Sequence, residues 1–320
     1  MGIQNKGTLL NTQYVLGIDL GGTNVKCGLV SLDGRMIART RLATAGFISD
    51  KNQLIQALCG ECLNLLHKNH LKQKDVLGVG IGLPGLVDIR KGVVKFLPNL
   101  PGWENVALKN IMEKKIKMPV FIDNDVKLIT LGEWKFGAGI GIRDLICLTL
   151  GTGVGSGLIL NNALYRGAGF TAGELGHIPL NEEGPLCNCG GRGCLERTVG
   201  NKYLLEKARK LFGKRDITLE EVTRLADRGN SAALKFWKET ASHIGIGLVS
   251  VVNLLNPKRI IIGGGIANAH RHLFPVIFQT IRKRAMSVPS QMVQLRRAKL
   301  GDHAGIMGAQ VLVDQAIHGR

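Results

Sequence analysis

The sequence predicts an α/β protein of two related lobes, and three observations lead there. An apolar strand that runs into a glycine turn and out again as a second strand occurs twice, near residues 14–30 and near 145–160. That recurrence is a weak internal repeat, the mark of two lobes built on one plan. Further strand-like runs alternate with segments of helical spacing, and 320 residues suffice for two domains of ordinary size.

Tyr14 to Ile18 is the first strand, Asp19-Leu20-Gly21-Gly22-Thr23 its turn, and Val25 to Val30 the returning strand. Asp33-Gly34 turns the chain into a third strand, Met36 to Leu42. From Lys51 to Lys68, Leu54, Leu58, Leu65 and Leu66 recur on a helical period. Val76 to Leu83 (VLGVGIGL) is a buried strand entering Pro84-Gly85, and Pro119 to Ile122 is another, ending at Asp123-Asn124-Asp125. The second lobe opens with the strand Leu145 to Leu150, a turn from Gly151 to Gly157 and a strand from Leu158 to Leu160. Helical stretches follow over Lys202 to Phe212, Leu219 to Arg228 and Ala232 to Leu255, then a strand, Arg259 to Ile262, and Gly263-Gly264-Gly265. Gly301 to Ile317 is a last helix, with Asp302 as its N-cap candidate.

Composition narrows the class. Hydrophobic residues make up 45%, charged residues 21%, and the mean hydropathy is +0.11, a globular balance and not a disordered one. The excess of 42 Lys and Arg over 24 Asp and Glu leaves +18, which first suggests nucleic acid. The cations are dispersed, however: Lys109, Lys114, Lys115 and Lys117; Lys202, Lys207, Arg209 and Lys210; Arg282, Lys283 and Arg284. No nucleic-acid module surrounds them, and three Tyr and three Trp offer little for base stacking. We therefore expect no specific nucleic-acid partner. The N-terminal segment lacks the apolar run of a signal peptide, and Lys6 stands where a myristoylation site takes Ser or Thr. Leu145 to Tyr165 and Ala241 to Pro257 lack Asp, Glu, Lys and Arg, but small polar residues interrupt them. Both read as buried core, so the expectation is a soluble, cytoplasmic protein with no membrane partner.

Three features carry chemistry. The turns at 19–23, 151–157 and 263–265 each end a strand with glycines, and much of the surplus in 43 glycines sits there and in a later cysteine-rich loop. Glycines let backbone amides approach phosphate oxygens, Thr23 adds a hydroxyl, and Asp19 suits a Mg²⁺ held through water. Any one turn serves equally as a ligand-free hairpin; three together favour phosphate. His177, Cys187, Cys189 and Cys194 form an H-x9-C-x-C-x4-C pattern, the donor set of a closed structural Zn²⁺ site. Cys59 and Cys62 form a C-x-x-C inside a helical pattern and read as helix residues, while Cys27 and Cys147 are small core fillers. The carboxylates of Asp125, after a core strand, and of Glu174 and Glu196, flanking the expected metal ligands, suit a polyhydroxyl ligand.

Nearly the whole chain resembles the ROK (repressor, open reading frame, kinase) sugar kinases of the actin-like ATPase superfamily, whose fold is ribonuclease H-like. LGIDLGGTNVKCGLV (16–30) and LICLTLGTGVGSGLIL (145–160) resemble the two phosphate segments, and IIIGGGIA (260–267) the adenosine segment. GELGHIPLNEEGPLCNCGGRGCLE (173–196) matches the family's E-x-G-H and C-x-C-G-x-x-G-C-x-E patterns in full. The resemblance implies two lobes, 1–123 with 302–320 and 124–301, around a cleft that closes on substrate. It implies Asp125 as the base that deprotonates a sugar hydroxyl, and Gly85, Asn99, Asn124, Asp125, Glu174, His177 and Glu196 around the sugar. His177 would serve both metal and sugar. Asp19, Gly21, Gly22, Thr23, Gly151, Thr152, Gly153, Gly264 and Gly265 would hold ATP and its Mg²⁺, and a homodimer is implied.

One position departs from the pattern: Lys127 stands where the family commonly has Asn. An ammonium facing the site would bear on phosphate or hexose; one facing solvent would change nothing. PNLPGW (98–103) and LGEWKFGAG (131–139) resemble glucokinases, so glucose leads, with N-acetylglucosamine or N-acetylmannosamine next. The family also holds sugar-responsive transcriptional regulators. Those carry a helix-turn-helix domain, for which the roughly fourteen residues before the first strand are expected to be too few.

Overall fold

The computed structural model describes residues 13–319, apart from Thr23, Ile48, Ser49 and Asn99. The readings of the N-terminal segment with Lys6, of Thr23 and of Asn99 fall outside the described residues. The chain divides into two compact units, one reaching to Gly132 and resuming at His303, the other running from Glu133 to Asp302. The expected division at 123/124 differs by one helix: α3 (Asp125–Phe136) begins within the first unit and carries Asn124 and Asp125 with it.

In the first unit, β1 (Tyr14–Leu20), β2 (Asn24–Ser31) and β3 (Met36–Ala43) form an antiparallel meander. Parallel strands β4 (Val76–Leu83) and β7 (Val120–Asn124) extend it in the order β3-β2-β1-β4-β7. Helix α1 (Lys51–Lys68) starts where the Asp50 carboxylate accepts the N–H of Asn52 at 2.8 Å, and it buries Leu54, Leu58, Leu65, Cys59 and Cys62. The two cysteines are helix residues, as expected, and burial pushes both thiols up. A small hairpin, β5 (Leu86–Asp88) with β6 (Val93–Phe96), and α2 (Leu108–Ile116) complete this part.

The second unit repeats the plan. β8 (Leu145–Leu150), β9 (Val154–Leu160) and β10 (Ala163–Tyr165) are an antiparallel meander, extended in parallel by β11 (Arg259–Gly263) and β12 (Gln294–Arg297). Its order, β10-β9-β8-β11-β12, matches the first sheet strand for strand and sense for sense. The repeat legible in two short segments is thus a repeat of whole sheets. β9 begins at Val154, so the turn is shorter than expected and Gly155 and Gly157 are strand residues. Helices α4 (Leu195–Val199), α5 (Asn201–Phe212), α6 (Leu219–Asp227), α7 (Ser231–Leu255), α8 (His270–Arg284) and α9 (Ser287–Met292) surround that sheet. The uncharged stretch at 241–257 is the second half of α7, with Ile244, Leu248 and Val252 fully buried. Among the described residues no helix is long and apolar enough to cross a membrane.

The last helix, α10 (Ala304–His318), belongs to the first unit. Its cap position is His303 and not Asp302, which lies in a preceding 3-10 turn, and the His303 side chain makes no cap hydrogen bond. α10 lies against the middle of β1, β2 and β4, where Gly17 pairs with both Gly28 and Gly80. A Cβ at Gly17 would meet the Ile306 carbonyl oxygen at 2.7 Å, and one at Gly80 the Ala309 oxygen at 2.6 Å. Glycine weakens a strand unless another backbone must come close, and here a helix does. Part of the glycine surplus therefore serves helix packing, where the sequence pointed only to turns and the cysteine loop.

Candidate active site

In the first unit, β1 delivers Asp19 to the end of the sheet, and the Gly21 N–H closes the turn onto the Asn24 carbonyl at 2.9 Å. Lys26, its cross-strand partner, lies 3.8 Å from the Asp19 carboxylate. A Cβ on Gly305 would come within 2.6 Å of the Asp19 Cγ, so only glycine lets the first turn of α10 approach this carboxylate. Helix N-termini favour negative charge. Gly22 is exposed at the turn.

β4 and β7 end side by side, Leu83 opposite Asn124. Asn124 Nδ2 donates to the Leu83 and Gly85 carbonyls at 3.5 and 3.4 Å, and its Oδ1 accepts the N–H of Val126 at 3.1 Å and of Lys127 at 3.3 Å. Asn124 thus fastens the Gly85 turn to the start of α3. Gly85 itself has φ +144°, and a Cβ there would strike the Phe96 carbonyl oxygen at 2.3 Å. Asp125 is the first residue of α3, half-buried, with Oδ1 accepting the Val126 N–H at 2.9 Å. Lys127, two residues on, is only 4% exposed. That removes the solvent-facing alternative and leaves an ammonium buried one half-turn from Asp125.

The second unit supplies two glycine turns. Gly151 N–H donates to the Gly153 carbonyl at 3.0 Å, and Asn201 N–H to the Gly151 carbonyl at 2.9 Å. The Glu196 carboxylate holds this turn too, Oε2 accepting the Val154 N–H at 2.8 Å, and a Cβ on Gly153 would sit 2.6 Å from that oxygen. At the third turn Gly264 has φ +87° and crowds Leu150, where a Cβ would lie 2.2 Å from the carbonyl oxygen. Gly151 and Gly265, by contrast, face open space, as a backbone that receives a ligand must. Beside Gly265 is a cavity of about 120 Å³ whose lining includes Leu219, Glu220, Trp237, Ile266 and Asn268. Trp237 is 1% exposed, and among the described residues its indole Nε1 has no hydrogen-bond partner. Buried donors are nearly always paired, so an unpaired one beside a slot marks a place for an acceptor. No glycine motif pointed to this residue; it sits in the apolar pattern of α7.

The cysteine-rich loop folds as its spacing requires. The donor atoms of His177, Cys187, Cys189 and Cys194 all lie within 4.8 Å of one another. His177 Nδ1 is 3.8 Å from Cys187 Sγ, and Cys189 Sγ is 3.7 Å from Cys194 Sγ. A tetrahedral ion with Zn–S bonds of ~2.3 Å needs edges of about 3.8 Å, so the donor set fits zinc. Burial pushes the Cys194 thiol up to about 12, whereas the Gly191 N–H holds Cys189 below the usual thiol range. The loop closes because Gly193 takes φ +61° with no room for a Cβ against the Asn181 oxygen, and Cys187 N–H reaches the Gly191 carbonyl at 2.8 Å. Glu174 precedes the 3-10 turn bearing His177 and is exposed; Glu196 follows Cys194 in the first turn of α4.

Residues 15–316 match the ROK family. The chain belongs to the ROK family. Its fold is accordingly the two-lobed actin-like ATPase type that the glycine turns suggest. This ROK protein is 32% identical to a glucokinase from Halalkalibacterium halodurans over 96% of each chain. It is likewise 32% identical to a xylose repressor from Caldicellulosiruptor bescii, over 93% of this chain and 77% of that one. Among solved structures it resembles a ROK glucokinase from Streptomyces griseus in complex with glucose and AMPPNP, with a TM-score of 0.80 and 31% identity over 94% of this chain and 99% of that one.

Proposed function

We propose that this ROK protein is an ATP-dependent hexose kinase that phosphorylates the 6-hydroxyl of glucose. The observation that carries the reading is Asp125 at the head of α3, next to the Asn124 that ties α3 to the Gly85 turn, in a chain 32% identical to a glucokinase over 96% of each. Asp125 accepts the proton of the 6-hydroxyl as that oxygen attacks the γ-phosphorus and the β–γ bridging bond breaks, releasing ADP. Such a base contributes typically ~10²–10⁴-fold, and alignment supplies much of the rest. Gly85, Asn99, Asn124, Glu174, His177 and Glu196 orient the ring hydroxyls, His177 through Nε2, since its Nδ1 faces the cysteines. Gly21, Gly22, Thr23, Gly151, Thr152, Gly153, Gly264 and Gly265 receive the nucleotide, with the base in the slot beside Trp237. Asp19 holds Mg²⁺ through water, and that ion neutralises phosphate charge when bound. Zinc on the Cys/His cluster is structural and fixes the loop that carries Glu174 and Glu196.

The measurement is ADP release over a panel of hexoses and N-acetylhexosamines. Glucose should give the highest kcat/KM, and Asp125→Asn should lower kcat at least ~10²-fold. Sugar binding without any sugar-dependent ADP release would overturn the kinase reading and favour the regulator reading that the xylose repressor similarity raises.

A further inference from the structure

A cavity of about 490 Å³ lies in the second unit, between one face of α8 and the edge strand β12. Its size suits a small molecule. Phe274, Phe278 and Arg282 line it at successive helical turns of α8, Met292 adds an apolar wall, and Lys258 and Arg296 stand at the strand side. No carboxylate lines it. None of Lys258, Arg282 and Arg296 forms an ion pair among the described residues. Arg282 is stacked 4.9 Å above the Phe278 ring, which holds its guanidinium over the cavity floor.

An amphipathic helix needs only one buried stripe, and α8 has it in Leu273, Ile277 and Ile281. The neighbouring stripe Phe274–Phe278–Arg282 is left half-covered, two flat rings with a fixed cation at the end. Three unpaired cations converging on such rings fit an anion attached to a flat apolar body. They do not fit a second copy of the chain, since a self-complementary contact would set like charges together. Burial, and then the charge of Arg296, holds the guanidinium of Arg259 below its usual value.

We infer that this cavity is a binding site for a small aromatic phosphate, the ring lying on Phe274 and Phe278 and the phosphate meeting Lys258, Arg282 and Arg296. The site contains none of the residues assigned to sugar or nucleotide above and does not depend on the kinase reading. The class covers a free aryl phosphate and a nucleotide, which share this chemistry.

The test uses the full chain and three probes, phenyl phosphate, inorganic phosphate and phenol, followed by titration calorimetry and ligand-observed NMR. Phenyl phosphate should bind saturably and weaken as salt is raised, with inorganic phosphate and phenol each at least ~10-fold weaker. The double variant Arg282→Gln/Arg296→Gln should lose at least ~10-fold in affinity for phenyl phosphate, with melting temperature and sugar-dependent ADP release unchanged. Phe278→Leu should cut the preference for phenyl phosphate over inorganic phosphate. Adenosine monophosphate competing for the same site in the parent but not in the double variant would extend the class to nucleotides. The absence of saturable phenyl phosphate binding, or binding that the double variant leaves intact, would overturn the proposal.

Discussion

Replacing Glu133 by Ala probes the second unit at a carboxylate that is completely buried and surrounded by backbone donors. Oε1 accepts the N–H of Leu300 at 2.7 Å and of Lys299 at 2.9 Å; Oε2 accepts the N–H of Ala138 at 2.8 Å and shares Lys299 at 3.1 Å. The one side chain therefore ties the segment after α3 to the segment after β12. Bonds to a charged group contribute ~1.5–3 kcal/mol each, so three donors give at most ~9 kcal/mol. Relief of carboxylate desolvation and entry of water offset part of this, leaving a net loss of ~3–5 kcal/mol. The unit spans the 170 residues from Glu133 to Asp302. At ~2.1 cal/mol/K per residue its unfolding entropy is about 0.36 kcal/mol/K, so Tm should fall by about 8–14 °C. Glu133→Gln keeps the shape and one accepting oxygen but turns an amide N–H toward that of Ala138, for ~2 kcal/mol and about 6 °C. Scanning calorimetry, with urea unfolding followed by circular dichroism, reads both. An alanine variant melting within about 2 °C of the parent would refute the account of Glu133 as the tie.

Three further outcomes are expected. The purified protein should contain about one zinc per chain, and its removal should lower Tm and expose additional thiols to Ellman's reagent; a metal content far below one ion rules the site out. Trp237→Phe removes the unpaired indole N–H, so the KM for ATP should rise about 5–10-fold with kcat and the sugar KM unchanged; an unaltered ATP KM removes Trp237 from the nucleotide slot. Burial, and then Lys207, holds the His243 imidazole below its usual value. As pH falls below about 6.5 the unfolded chain takes up the proton first, so stability declines with acidity until the lowered folded value is passed. His243→Gln should flatten that decline in urea titrations between about pH 5 and 7, and an unchanged slope would show that other groups cause it.

Where a residue acts through local spacing, the sequence made it legible. The four donors His177, Cys187, Cys189 and Cys194 lie within eighteen residues of chain, and their intervals alone specify a four-donor cluster; the two strand–turn–strand segments announce the paired sheets. What escaped was set by partners far along the chain. LGEWKFGAG resembles a glucokinase segment, yet Glu133 there accepts backbone donors at Lys299 and Leu300, and Trp134 Nε1 donates to the Ile142 carbonyl at 3.0 Å. Those residues hold the second unit together and speak only indirectly about the sugar. The start of α3 was similarly hidden, because Asn124 caps it from inside a motif that looks like a strand end. Lys127 shows the same limit: whether it met solvent or protein depended on how α3 packs, which no local pattern states.

The packing of α10 on Gly17, Gly28 and Gly80 gives the two units different histories during synthesis. The second unit is continuous in the chain, so every strand and helix of its core is available once Asp302 has emerged. The first has its central strands made early, whereas Ile306 and Ala309, which fill the glycine-lined face, follow Gly17 by roughly 290 residues. At ~5–20 residues per second that face waits roughly 15–60 s for its cover. A released chain truncated after Asp302 should therefore display a folded second unit and a protease-sensitive first one.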